Sequence, residues 1–283
     1  MSRKTVVAVA LVVLVLLAGC NSPFSGEEGT TSTERPVEEA TETAAVTTTE
    51  VTLDDVTLPE GANRRRIGNA TALAEAYASA VRNSSYEIEF EKSRVLEDGT
   101  RTDYRRTVRK KSLETDEEYQ YQNRTSDDGN RTVVSYLDGT EFYEKFVTDE
   151  TAYQVSTVPP NSVDEFQPKI GMVTYVRSRL QAGEYEDPRL VRRDGRRFVK
   201  YRLTDIDSDA KFVLADSITN VSGSVLVGPN GVVRRISMNL TKGGRGPDTY
   251  LRSEFRLVGT DEVTIREPDW TDEALTRTDD ERA

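Results

Sequence analysis

The chain has 283 residues, a formal net charge of −11, no histidine and a single cysteine. This composition removes the usual general base and zinc ligand, rules out an internal disulfide framework, and gives no bulk positive charge for nucleic acid. Without its first 19 residues the chain still has about 264, enough for one good core or two small ones.

The N-terminus reads as a signal. Arg3 and Lys4 precede an apolar run from Val6 to Ala18, followed by Gly19 and Cys20. A bilayer core needs about 20 helical residues, so this run is too short to span. A basic start, a short apolar stretch and small residues before a cut site describe a secretory signal peptide. Leu17-Ala18-Gly19-Cys20 resembles the lipobox of prokaryotic lipoproteins. That resemblance implies cleavage after residue 19 and a thioether-linked lipid on Cys20. Lys4 stands where a twin-Arg signal has its second arginine, which leaves the export route open. Lipidation would consume the only thiol.

Residues 20–62 form the next segment. Positions 21–62 hold ten Thr, three Ser and ten acids against one base, Arg35. With isolated apolar residues, such a stretch cannot offset the entropy of ordering and is expected to be a disordered tether. Its end-to-end distance as a flexible chain would be roughly 35 Å. Residues 271–283 carry five acids and two bases and are expected to be a second disordered tail. That leaves a near-neutral body, 63–270, as a single globular domain. Arginine outnumbers lysine by 29 to 9, a bias that fits a salt-adapted, GC-rich archaeal source.

The body opens with NATALAEAYASAVRNSS, whose Ala70, Leu73, Ala74, Tyr77 and Val81 form a helical stripe. Asn69 or Thr71 can cap it, and it ends near Asn83. Alternating segments follow: SYEIEFEKSRV, DYRRTVRKKSLE, EEYQYQNRT, RTVVSYL, TEFYEKFVT and TAYQVSTV. Short links rich in Asp-Gly join them, so they read as an antiparallel meander of about six strands with one wet face. Pro159-Pro160 ends the run. Residues 162–182 read as one or two helices broken near Pro168. RRFVKYRLTDI, SGSVLVG, VVRRISMNL, TYLRSEFRLVG and EVTIRE then read as strands, with Pro229-Asn230-Gly231 as a hairpin turn. Trp270, the sole tryptophan, closes the body.

The element order, ending in SGSVLVGPNGVVRRISMNL, a further strand and VTIREPDW, resembles the lipoprotein-carrier superfamily. That superfamily includes LolA-type periplasmic carriers and mycobacterial lipid-binding lipoproteins. The chain also resembles uncharacterised lipoproteins of halophilic archaea. The resemblance covers residues 66–270. It implies an α+β fold: a curved antiparallel sheet, a half-barrel, wrapped around an N-terminal helix and a central helical insert, with an apolar cavity between. It rests on element order and carries over no functional residue.

Candidate sites follow from alternation and motif. Tyr86, Ile88, Phe90, Val134, Tyr136, Phe142 and Phe146 are candidates for the concave face, covered by Val173 and Val176 from the helical insert. They line either a pocket for an acyl or isoprenoid chain or a filled core. Asn69, Asn83, Asn123, Asn130, Asn220 and Asn239 each open an Asn-x-Ser/Thr sequon in the exported part. Asp205, Asp207 and Asp209 resemble the start of a calcium loop. Ala210 and Asp216 stand where a hand-type loop has Gly and Glu, so the expectation is a polar loop and no metal. The basic runs Arg64–Arg66, Arg105–Lys111 and Arg192–Arg197 alternate across strands. They are expected to pair with nearby acids, with anionic lipid head groups as the sharper reading.

No Gly-x-Ser-x-Gly, phosphate loop or dinucleotide loop is present. The expectation is a monomeric, non-enzymatic protein without a cofactor, anchored by lipid on the extracellular face of the cell membrane. It would bind or carry a hydrophobic ligand. The alternatives are an envelope protein-binding scaffold with a filled core, and a carboxylate-based hydrolase of envelope glycans.

Overall fold

The computed structural model describes residues 52–159, 170–193, 195–207, 218–243, 247–260 and 262–282. The signal peptide, Cys20, most of the expected tether and Asp209 lie outside the described residues.

Helix α1, Ala70–Arg82, forms where the stripe predicts it. Asn69 caps it, its Oδ1 accepting from the Ala72 amide at 3.0 Å, which satisfies one of the free amides of the first turn. Leu73, Ala74, Tyr77, Ala78 and Val81 are buried along one side. Six strands follow: β1 Tyr86–Leu96, β2 Arg101–Ser112, β3 Glu117–Ser126, β4 Gly129–Asp138, β5 Glu141–Val147 and β6 Thr151–Thr157. Then come α2 Val173–Ala182, β7 Gly183–Arg193, β8 Arg196–Ile206, β9 Ile218–Val227, β10 Val233–Lys242 and β11 Thr249–Thr260. Helix α3, Thr271–Arg282, ends the chain.

All eleven strands form one sheet in the order β6-β5-β4-β3-β2-β1-β11-β10-β9-β8-β7. Two antiparallel meanders, β1–β6 and β7–β11, are joined edge to edge by the β1–β11 ladder, which runs from Tyr86↔Thr260 to Leu96↔Thr249. The sheet is not closed, since β6 and β7 are both edges. The result is a curved, half-barrel-like α+β fold.

Helices α1 and α2 cover one face of the sheet at β1 and β7–β11. Leu73, Tyr77, Val81, Val176 and Leu180 meet Ile88, Tyr201, Val225, Ile236 and Phe255 in the main core. A tyrosine clamp locks this arrangement. Tyr77 Oη donates to the Gly171 carbonyl at 2.6 Å, and the Gly171 amide donates to Tyr86 Oη at 3.1 Å. Both bonds are buried, so each satisfies a backbone group that water cannot reach. Gly171 has φ +56°, and an added Cβ would lie 2.7 Å from Val81 Cγ2. Only glycine fits there.

The structure departs from the sequence reading at both ends. Order begins before residue 63: Leu53–Asp55 form a 3₁₀ turn, and Leu53, Val56 and Leu58 pack on the main core. The expected acidic tail instead forms α3. Ala274 is fully buried, and Trp270 joins it against Tyr136 and Tyr143 on the opposite face of the sheet. Composition pointed to disorder because so few apolar residues are needed to seat one short helix. Residues 262–267 form no strand among the described residues, although Ile265 packs beside Trp270. Strand β7, GEYEDPRLVRR, escaped the sequence reading. Its Pro188 is tolerated because β7 is an edge.

Gly171→Ala combines a positive-φ cost with a clash at Val81. It should lower stability by about 2–4 kcal/mol, read as a fall in the urea midpoint at unchanged m-value. Burial pushes the hydroxyls of Tyr86 and Tyr201 up to about 12, from an ordinary 10.0. A raised folded-state pKa contributes stability that is complete below the unfolded value and lost as pH rises toward the folded one. Thermal stability should therefore start to fall near pH 10 and drop steeply by about pH 12. Tyrosinate absorbance should rise in step with unfolding rather than before it.

Candidate ligand-binding face

Register converts the sheet into rungs, because residues directly opposite on neighbouring strands share a face. On the helix-bearing, inner face, one rung runs Phe255, Phe90, Thr107, Gln122, Val133, Phe146 across β11, β1, β2, β3, β4 and β5. The next runs Leu257, Ile88, Arg109, Gln120, Ser135, Glu144, and a third runs Tyr86, Lys111, Glu118, Leu137, Phe142. On the other side of the Phe90 rung lies Ser253, Lys92, Arg105, Arg124, Arg131.

These rungs divide the nine candidate lining residues. Tyr86, Ile88, Phe90 and Val176 are buried in the main core, with Val173 packed against it. Ile88 and Val176 have no exposed surface, so no water-sized void adjoins them. Phe142 and Phe146 share the inner face but lie out on β5. Val134 and Tyr136 are on the outer face, packed with Tyr143, Trp270 and Ala274. The inner-facing residues of β4 are Val133, Ser135 and Leu137. The run VVSYL hides this parity, because both faces of β4 are covered and apolar residues occupy both.

Beyond the helices the inner face turns polar. Burial pushes Glu118 above the usual carboxylate range, opposed by Lys111, whose Nζ lies 3.5 Å away. Burial lowers Arg109. Burial also lowers Lys92; Asp103 opposes this, while Arg94, Arg179 and Arg105 add to it. Thr107 is almost fully buried, and its Oγ1 has no hydrogen-bond partner. Arg105 donates to Gln122 Oε1 at 2.5 Å, Arg124 lies 3.4 Å from Asp103, and the Arg131 guanidinium stacks 5.7 Å from the Phe146 ring. At the inner end, Phe90 packs edge-on to Tyr175 with centroids 4.8 Å apart.

The outer face of the central strands has opposite electrostatics. Glu87 pairs with Lys110 at 3.2 Å. Glu89 pairs with Arg106 at 3.7 Å and Arg256 at 3.6 Å, and Glu254 with Arg235 and Arg256 at 2.9 Å each. Here Arg235 stands opposite Arg256 and Glu91 opposite Glu254, and the ion pairs run diagonally between these adjacent rungs.

The remaining sequence candidates are placed as follows. Asn69 and Asn83 flank α1, and Asn130, Asn220 and Asn239 are exposed on strands. Asn123 is half-buried and donates to Thr132 Oγ1 at 3.0 Å. Asp205 accepts from the Ile206 amide at 2.8 Å, while the Asp207 amide donates to the Ala182 carbonyl at 2.7 Å. Among the described residues no three His, Cys, Asp or Glu gather around a metal position. Among them, too, no helix is long and apolar enough to cross a membrane. Arg196 and Arg197 stand opposite Arg193 and Arg192 at one end of the β7–β8 ladder, and the Arg64–Arg66 run lies farther along it. There Arg64 pairs with Asp54 at 3.2 Å, and Arg66 bridges to Glu186 through the backbone.

The crystal structure of the Mycobacterium tuberculosis lipoprotein LppX is similar to this chain. The identity is 11%, over 70% of this chain and 98% of LppX, with a TM-score of 0.34. No curated protein matches the chain. A family model matches residues 5–274, nearly the whole length, and the chain therefore belongs to the family of unknown function DUF7537.

Proposed function

We propose that this chain is a non-enzymatic protein, lipid-anchored on the extracellular face of the cell membrane, that binds a hydrophobic or amphiphilic ligand. The ligand lies on the inner face of β1–β5, beside the main core. One observation carries this reading. Val133 and Leu137 are buried and Phe146 is half-buried on the same side as the helix-covered core, among polar side chains of which two, Thr107 and Gln120, carry buried oxygens with no hydrogen-bond partner. A face that mixes buried apolar side chains with unsatisfied polar atoms fits an amphiphilic ligand. The anchor is the lipid expected on Cys20, which would hold the body near a supply of such molecules.

The filled main core favours a second reading. Ile88, Val176, Val225, Ile236 and Phe255 have no exposed surface, so among the described residues α1 and α2 pack directly on the sheet at these positions. A protein-binding scaffold needs nothing more than that.

Native mass spectrometry of the purified chain, followed by solvent extraction, separates the two. The ligand reading predicts an added mass that extracts as lipid. It also predicts that Phe146→Asp loses this mass while unfolding at nearly the same temperature, since Phe146 lies outside the core. A clean apo mass, with no uptake of offered lipids, would leave the scaffold.

A further inference from the structure

The rung formed by Lys92, Arg105, Arg124 and Arg131 is not explained by packing. Each of these cations stands directly opposite the next across β1–β2, β2–β3 and β3–β4. Like charges directly opposite destabilise a sheet, and here three such pairs are consecutive. Among the described residues one acid, Asp103, lies within ion-pair distance of the rung. Glu144, two rungs away, acts on Arg131 only from farther off.

Edge protection does not account for it, because β1–β4 are interior strands. On the outer face like charges also stand opposite, Arg235 to Arg256 and Glu91 to Glu254, but these two rungs are adjacent and neutralise each other through the ion pairs of Glu254 with Arg235 and Arg256. The inner rung has no such rung of acids beside it among the described residues. Lys92 is half-buried, and Arg105, Arg124 and Arg131 are exposed and reachable from solvent.

We infer that this rung binds an anionic phosphate or sulfate group, and that it reads the polar head of the ligand assigned to the neighbouring apolar rung. Neighbouring strands are about 4.8 Å apart, so one tetrahedral anion can bridge two adjacent cations of the rung. The guanidinium fork matches two oxygens of such an anion. The next rung inward carries the half-buried Phe146, whose ring lies under Arg131, so apolar surface lies beside the charged head. The inference rests on the ligand reading for the source of the anion, but not for its chemistry.

The test uses the chain from residue 20 with Cys20→Ser, so that no acyl chain of its own contributes. Three probes are titrated calorimetrically: dioctanoyl-phosphatidylglycerol, dioctanoyl-phosphatidylcholine and inorganic phosphate. The expected result is at least tenfold tighter binding of phosphatidylglycerol than of phosphatidylcholine. Arg105→Gln with Arg124→Gln should abolish that preference, and so in part should the single exposed change Arg131→Gln. Relief of like-charge pairing should leave the melting temperature unchanged or raised, whereas a purely structural rung would lose stability.

Equal affinity for both lipids would overturn the anionic site and leave the hydrophobic-ligand reading standing. Phosphate binding without lipid binding would keep the anion site, assign it a free anion and overturn the ligand reading. No binding of any probe would overturn both.

Discussion

Tyr77 and Tyr86 close on the two polar backbone atoms of Gly171, and the rest of the structure depends on that clamp. It ties α1 to the turn that starts α2 and both to the first strand of the sheet. Gly171 is 94 residues from Tyr77 and 85 from Tyr86, so the bonds form only when the turn before α2 is seated against α1 and β1. With the helices seated, the apolar side of β1 and β7–β11 is sealed. The outer meander, β2–β5, extends beyond their reach.

That division explains the asymmetry of the sheet. Where α1 and α2 cover it, the inner face is apolar and fully packed, consistent with interiors at crystal-like density. Where they do not, the inner face mixes charged and apolar groups, Thr107, Lys111, Val133 and Leu137 among them buried, and α3 lies on the other face. There Tyr153 donates to Glu273 at 2.8 Å, and Glu273 pairs with Arg277 at 2.7 Å, strapping α3 across β5 and β6. The sheet thus has two small cores on opposite faces. On the inner face the rung of Lys92, Arg105, Arg124 and Arg131 has one acid, Asp103, within ion-pair distance among the described residues.

Much of this was legible from residues alone. The α1 stripe, the Asp-Gly turns of the first meander and the Pro-Asn-Gly hairpin each have a local physical cause, and each appeared where that cause put it. What local pattern could not show was parity and partnership. VVSYL is apolar on both faces, so the sequence cannot say which side Tyr136 takes. Strand β7 has Pro188 and weak alternation, and only its partner β8 makes it a strand. The α3 helix has two or three apolar contacts among many acids and looks like solvated tail until Tyr136 and Tyr143 are seen beneath it. The cationic rung draws one residue from each of four strands. In linear order the basic residues form other groupings, Arg105-Arg106 for instance, whose two members point to opposite faces.

Methyl-labelled NMR of the lipid-loaded chain would test most directly whether the ligand lies beside the core rather than within it. Saturation transferred from the ligand should reach the methyls of Val133 and leave those of Ile88 and Val176 untouched. Transfer to Ile88 and Val176 would mean that α1 and α2 open to admit the ligand, which would contradict a filled core locked by the Gly171 clamp.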